Sequence, residues 1–358
     1  MNLSDLEQYD YVLPEALIRK EGVEPRDTAR LFVYDTSTDT VTHDFFYNIA
    51  KYLPENSLLV LNDTRVVPAR LQLKKVTGGK IEVFVLMNEW NGKDETIPVL
   101  VDRKCGVGWK LFFPNGDYFE MVRQEENKFF AILKPSNSGE TPVKSLGELL
   151  EEFGETPIPP YLSGEEWLRD EKKLRMRYQT IFAEQGNSVA APTAALHFTD
   201  RVFESLKQKN IDTAHVTLDV GLGTFAKLKD ENFVTKKLHR ERISVSDEAA
   251  TQINTAKKEE RKIIPVGTTA LRTLESCIKS GSLRAFAGDT DIFISPPHHF
   301  QSADMLITNF HIPKSSLMLL VDAFLRDKGA KRNLIQLYEE AIREKYAFYS
   351  FGDSMIIV

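Results

Sequence analysis

The stretch Asp304–Ser316, DMLITNFHIPKSS, decides the fold class. Its first half, DMLIT, is apolar and reads as a strand, and Lys314-Ser315-Ser316 opens the apolar run SSLMLLVDAFLRD as a helix. Asn309, His311, Lys314 and Ser315 therefore cluster where a strand passes into a helix, a favoured ligand position in α/β sheets. A plain serine cap accounts for Ser315 and Ser316 but not for Asn309 and His311.

The same texture extends outward. Thr199-Asp200 caps the helix RVFESLKQKN, which leads to the strand AHVTLDV. A helix around Asp247–Lys258 leads to the strand RKIIPVG, then Thr268-Thr269 and the helix ALRTLESCIKS. The strand DIFIS precedes the opening stretch, and the helix IQLYEEAIREKYAF follows it. Near the N-terminus, the apolar run Ser57–Leu61 ends in Asn62-Asp63-Thr64-Arg65, a buried strand running into a charged loop. Strands alternating with helices imply a sheet with helices on its faces.

Residues 70–157 differ. LQLKKV, KIEVFVL, TIPVLV, WKLFF, YFEMV and KFFAIL are short, rich in β-branched and aromatic residues, and several are separated by Gly-Gly, Asn-Gly or Pro-Asn-Gly turns. That pattern predicts a small antiparallel barrel or sandwich. The polar stretch Lys134–Ser145 then leads to a short helix, LGELLEEF, and the stiff linker Thr156–Pro160. The expected architecture is a discontinuous α/β sandwich domain, 1–69 and 158–358, with an inserted all-β barrel domain, 70–157.

A chain of 358 residues has room for two such cores. Its two cysteines, Cys105 and Cys277, form neither metal spacing nor disulfide framework, which fits a reducing compartment. No signal-peptide pattern and no apolar run of about 20 residues is present. A cytoplasmic protein without membrane or metal is expected. The net charge of −6 speaks against a non-specific nucleic-acid binder, yet leaves room for a local basic face.

Four further segments can carry chemistry. Ser188–Thr199, SVAAPTAALHFT, sets Thr193 and His197 among small residues that allow close approach, although the pattern by itself favours a tight packing segment ending in a helix cap. Leu218–Phe225, LDVGLGTF, offers Gly221 and Gly223 to a ligand, with Asp219 able to reach a ribose hydroxyl or to stabilise a turn. Its spacing is not that of a dinucleotide fingerprint. In Pro265–Glu275, PVGTTALRTLE, the helix N-terminus at Thr268-Thr269 and Arg272 suit a carboxylate, or form an ordinary capped helix. His239 and Glu241 share a strand face but are too few for a metal site.

Taken together, these segments resemble the S-adenosylmethionine:tRNA ribosyltransferase-isomerase family of queuosine biosynthesis. The resemblance runs through DYVLP at 10–14, Pro25-Arg26-Asp27 with Arg30-Leu31, LVLNDTRVVPARL at 59–71, PIPPY at 157–161 and RYQTIFA at 177–183. It continues through SVAAPTAALHFT, VGLGTF, VGTTALRTLE, LITNFHIPKSSL and FYSFGDSMI at 348–356. Ten strings in the family's order are specific; the insert carries little of the match.

The resemblance implies an α/β domain with an inserted β-barrel. The reaction it implies consumes S-adenosylmethionine as ribosyl donor, with no regenerated cofactor. The acceptor is tRNA bearing 7-aminomethyl-7-deazaguanine at the wobble position of a queuosine-type anticodon, and the products are epoxyqueuosine in tRNA, adenine and methionine. It makes His197 and His311 acid–base candidates. Arg272 with the Thr268–Thr269 turn becomes the candidate for the methionine carboxylate, and Asp63, Arg65, Thr193, Asp219, Gly221, Gly223, Asn309 and Ser315 are substrate-contact candidates. Family members usually carry His in place of Asp219, an aromatic in place of Arg242, Tyr in place of Ser295 and Thr in place of Ser316. These departures keep open a paralogue acting on another nucleoside or small molecule, and a non-catalytic tRNA- or nucleotide-binding protein. Cations expected to meet tRNA fall in three groups: Lys74, Lys75 and Lys80; Lys172, Lys173, Arg175 and Arg177; and Lys236, Lys237 and Arg240. Such clusters are more often just a solvated face.

Overall fold

A computed structural model describes residues 2–90, 92–136, 144–162, 165–225 and 227–358. Part of the expected polar connector, residues 137–143, lies outside the described residues, as does Asn91 of the Asn-Gly turn.

The chain is a mixed α/β protein with several sheets. One sheet has five strands, in the order Ile263–Pro265, Leu58–Asn62, Asp212–Asp219, Lys237–Val245 and Phe286–Ile292. Its first three strands are mutually parallel and its last two pairings are antiparallel. Leu58–Asn62 is buried at every position, as a central strand covered on both faces must be. A four-stranded sheet runs Leu306–Asn309, Ser354–Ile357, Arg30–Asp35 and Thr40–Phe45. Here Ser354–Ile357 pairs in parallel with Arg30–Asp35. A single parallel bridge, Val266 to Ile307, joins the two sheets. Ile263–Pro265 and Leu306–Asn309 therefore point the same way, and the segments leaving their carboxyl ends emerge side by side.

Helices cover these sheets because their apolar positions recur on one face. Gly267–Cys277 and Asp247–Lys258 bury Leu274, Ala270, Ile253 and Ala250 against Val60, Val216 and Ile243. Ser316–Asp327 and Leu334–Arg343 bury Leu319, Phe324 and Leu337 with Phe32, Phe310 and Met355. The polar N-terminal lead forms a short helix, Leu3–Tyr9, tied down from outside the sheets. Tyr9 donates to Asp322 at 2.7 Å, and Lys314 ion-pairs with Glu7 and Asp10 at 2.9 and 2.8 Å.

The expected helices are present at Leu146–Phe153, Asp200–Lys207 and Asp247–Lys258, with Ser145, Thr199 and Ser246 as their caps. The helix expected after Thr269 starts earlier, at Gly267, because Gly267 takes φ +88° and turns the chain directly out of the strand. The strand expected at DIFIS lies earlier, at Phe286–Ile292, and shares only Asp291 and Ile292 with it; Phe293–Ser295 fall beyond the strand, and Phe293 and Ile294 owe their apolar character to packing in the core beside Leu306 and Phe324.

The segment 70–134 is antiparallel throughout, in the order Arg70–Lys75, Lys80–Val85, Thr96–Val101, Lys128–Lys134, Tyr118–Glu125 and Lys110–Phe112. Lys110–Phe112 returns to pair with Arg70–Lys75, at Lys74 to Phe112 and Lys75 to Leu111. The short strand Gly154–Glu155 flanks Arg70–Lys75 on its outer side. The buried core of this segment runs from Val67 to Leu150 and includes helix Leu146–Phe153. No helix among the described residues is long and apolar enough to cross a membrane.

Candidate active site

A cleft enclosing about 910 Å³, including its open mouth, lies where the two sheets meet. Its floor is built by the paired carboxyl ends described above. Thr308, Asn309, His311 and Ser315 come from the segment after Leu306, while Gly267, Thr268, Thr269 and Arg272 come from the start of helix Gly267–Cys277. Thr193, between small alanines of SVAAPTAALHFT, forms one wall, and its hydroxyl donates to Asn309 Oδ1 at 3.1 Å. Tyr161, Tyr178 and Tyr349 form another wall. The Tyr161 and Tyr349 rings meet edge to face at 5.1 Å between centroids.

Part of the cleft lining is cationic. No side chain caps the N-terminus of helix Gly267–Cys277, so its first N–H groups and positive dipole end face the opening. Arg272 is buried, and its Nη1 donates to the buried carboxylate of Glu241. Glu241 also accepts from the Gly221 N–H at 3.2 Å. The Nε and Nη2 of Arg272 have no hydrogen-bond partner among the described residues, nor do the buried hydroxyls of Thr269 and Thr308. The Tyr178 hydroxyl approaches Ser350 and the Ala191 backbone without a well-formed bond to either. Native interiors satisfy nearly all such groups, so a concentration of unsatisfied ones around one cleft marks a place where a polar ligand completes them.

His311 lines the same cleft. Its N–H donates to the Tyr338 hydroxyl at 2.9 Å, Nδ1 lies 3.3 Å from the same oxygen, and the Tyr11 hydroxyl donates to its carbonyl. Burial lowers the His311 pKa to about 4, so its ring is neutral at pH 7.

Seven sequence candidates thus share the cleft: Thr193, Thr268, Thr269, Arg272, Asn309, His311 and Ser315. Gly223 lines an adjoining depression with His239, Glu241 and Arg272. Gly221 lines the next depression, with Arg240 and Arg242. The other four candidates lie apart. His197 is buried in a separate depression with Arg26 and Arg177 that touches the cleft only at Ser350. It packs 5.1 Å from the Phe46 ring centre, and burial lowers its pKa to about 4. Asp63 accepts from the Thr217 hydroxyl at 2.7 Å, and burial raises its pKa. Arg65 is half exposed and pairs with Glu151 at 2.7 Å. Asp219 clamps two chain segments: it accepts from Thr64 Oγ1 and from the Asn187 N–H, both at 2.8 Å. It does so beside Gly186, where φ is +89° and a Cβ would run into its carboxylate.

Residue-level reading missed Tyr161, Tyr178, Thr308 and Tyr349. Each lies in a string that carried the family resemblance, but no local pattern separates such residues from core. No group of three or more His, Cys, Asp or Glu side chains gathers as a metal-holding cluster among the described residues.

The family model described as queuosine biosynthesis protein matches residues 6–357. The S-adenosylmethionine:tRNA ribosyltransferase-isomerase of Carboxydothermus hydrogenoformans is 43% identical over 99% of each chain. The protein of the same name from Clostridioides difficile is 41% identical over 98% of each. A crystal structure of S-adenosylmethionine tRNA ribosyltransferase from Thermotoga maritima is similar with a TM-score of 0.54 and 29% identity, covering 98% of this chain and 100% of that one. The chain belongs to the queuosine biosynthesis protein family and is one of its enzymes.

Proposed function

We propose that this enzyme transfers and isomerises the ribosyl group of S-adenosylmethionine onto 7-aminomethyl-7-deazaguanine at the tRNA wobble position. The products are epoxyqueuosine in tRNA, adenine and methionine. The observation that carries this reading is a cleft that joins a cationic lining to an aromatic one. The uncapped helix N-terminus and the free Nε and Nη2 of Arg272 suit a carboxylate such as that of methionine. Tyr161, Tyr178 and Tyr349, in the same lining, offer rings to a nucleobase. S-adenosylmethionine has both parts, and serves as consumed co-substrate instead of resident cofactor.

The chemistry assigns roles within the cleft. A base takes the proton from the ribose carbon beside the sulfonium, adenine departs, and an epoxide forms. The aminomethyl nitrogen then attacks and methionine leaves. His311 is the acid–base group of this scheme: it lines the cleft and is neutral, so it can accept a proton. Asn309, held by Thr193, and Ser315 contact substrate. His197 has no part in the chemical step, because it stands in its own depression.

The chain is organised as a catalytic unit of 1–69 and 158–358 around an insert of 70–157. The insert's separate core and the Lys74–Phe112 pairing support a closed barrel. The test is to incubate the protein with S-adenosylmethionine and tRNA carrying the aminomethyl base, then identify adenine and the modified nucleoside by mass. Adenine without modified tRNA would favour a paralogue with another acceptor, and binding without adenine a non-catalytic protein.

A further inference from the structure

Two more depressions continue the cleft. The first encloses about 540 Å³ and shares Arg272 and Leu317 with it. The second encloses about 890 Å³ and shares Gly223 and His239 with the first. Together they form a groove that runs from the cationic lining of the cleft, past the Gly221–Gly223 loop, to Asn88 and Glu89 at the edge of the insert.

The charges along the groove are unusual for this chain. Many of its surface cations are tied to carboxylates, as Lys237 is to Asp291 and Lys128 to Glu89. Lys227, Arg240 and Arg242, which line the groove, have no ion-pair partner within 4 Å among the described residues. Two of the carboxylates on the path are already engaged: Glu89 by Lys128 and Glu241 by Arg272. Asp289 remains, opposite Arg242 in the register with strand Phe286–Ile292; Asp219 lies opposite Arg242 on the other side, its carboxylate already held by Thr64 and Asn187. Strand Lys237–Val245 is irregular between Lys237 and Glu241, and such a bulge re-aims the side chains around it. Arg240 and Arg242 stand two residues apart, about 7 Å along a strand, which suits successive phosphates of an extended strand. The loop opposite them is glycine at 221 and 223; a Cβ on Gly223 would run into the His239 side chain and narrow the path.

We propose that this groove carries the phosphate backbone of single-stranded RNA next to the nucleotide held in the cleft, with Arg240 and Arg242 as its phosphate contacts. The proposal rests on the tRNA reading above and adds to it the direction in which the RNA leaves the cleft.

The test measures tRNA affinity over a salt series for the full chain and for Arg240→Gln, Arg242→Gln and the double variant, with S-adenosylmethionine affinity and Tm recorded for each. Both arginines are solvent-accessible, so folding is expected to hold. The double variant should bind tRNA roughly tenfold or more weakly, and the slope of log affinity against log salt should fall by about 0.7 per lost phosphate contact. Its affinity for S-adenosylmethionine and its Tm should stay at wild-type values. Gly223→Ala should weaken tRNA binding as well. If the wild type binds tRNA and the double variant matches it in affinity and slope, the groove is not the RNA path. The same holds if Lys74→Gln with Lys80→Gln, on the insert, removes the salt dependence instead. A wild type that fails to bind tRNA at low salt overturns the tRNA reading itself, and the groove with it.

Discussion

Thr308→Val tests the claim that the cleft keeps polar groups waiting for a ligand. Thr308 lies on strand Leu306–Asn309, is 1% exposed, and its hydroxyl has no hydrogen-bond partner among the described residues. A buried hydroxyl left unsatisfied costs about 1–3 kcal/mol. Valine has the same branched shape and the same preference for a strand, and lacks that penalty. The variant should therefore be more stable than the wild type by about 1 kcal/mol, a rise in Tm of roughly 1–2 °C for a chain of this length. Its affinity for S-adenosylmethionine should move the other way, because one ligand hydrogen bond, about 0.5–1.5 kcal/mol, is gone. That corresponds to a dissociation constant raised roughly 2- to 12-fold. Differential scanning calorimetry and titration calorimetry with S-adenosylmethionine read the two quantities on one preparation. A fall in Tm would mean that the hydroxyl is already satisfied in the free enzyme. A rise in Tm with unchanged affinity would mean that the ligand does not use it. Either result refutes the reasoning.

Other perturbations follow from the same geometry. Arg272→Gln removes the free donors and leaves Glu241 buried without its cation, so denaturant titration should show a loss of about 3–5 kcal/mol, and S-adenosylmethionine binding should weaken at least tenfold. Gly267→Ala forces a side chain into φ +88°, which should lower stability by about 1–2 kcal/mol by urea midpoint. His311→Gln should lower kcat roughly 10²- to 10⁴-fold, with little change in S-adenosylmethionine affinity; unchanged turnover would remove it from the acid–base role. The pH dependence has a definite sign. The pKa of His197 is lowered from 6.5 to about 4, so the unfolded chain takes up the proton first. Stability is then full above pH 6.5 and falls as pH drops toward 4, by about 3 kcal/mol in all. In His197→Gln this share of the acid sensitivity should vanish, which urea midpoints at pH 7.5 and 4.5 would show.

The parts of the fold legible in the sequence were those with local signals. A threonine cap marked the helix at Asp200, polar-to-apolar changes marked those at Leu146 and Asp247, and an apolar run marked the central strand Leu58–Asn62. The candidate site divided along the same line. Asn309 and His311 stood out because polar residues at a strand-to-helix crossing have few other uses, whereas Ser315 is also the cap of helix Ser316–Asp327, as its sequence position allowed. His197 looked equivalent in sequence, yet Phe46, far away in the chain, closes over it. Asp219 sits beside a glycine loop and suggests a ligand contact, whereas its partners Thr64 and Asn187 come from two other segments. The free face of Arg272 was equally hidden, since it depends on Glu241 from a different element holding one nitrogen and leaving two.

The inner position of strand Ser354–Ile357 bears on how the enzyme is made. It separates Leu306–Asn309, which supports the cleft floor, from Arg30–Asp35, which leaves the ribosome more than 300 residues before it. Pairing of such distant segments is slow and comes late. Until residue 357 has been synthesised, Phe32 and Tyr34 have a strand on one side only, and the segment bearing Asn309 and His311 lacks its ladder, keeping the bridge to Val266 and side-chain ties such as Thr193 to Asn309. The nascent chain thus holds a finished helix N-terminus and an unfinished segment beside it, so binding of S-adenosylmethionine should begin only after translation has passed the last strand.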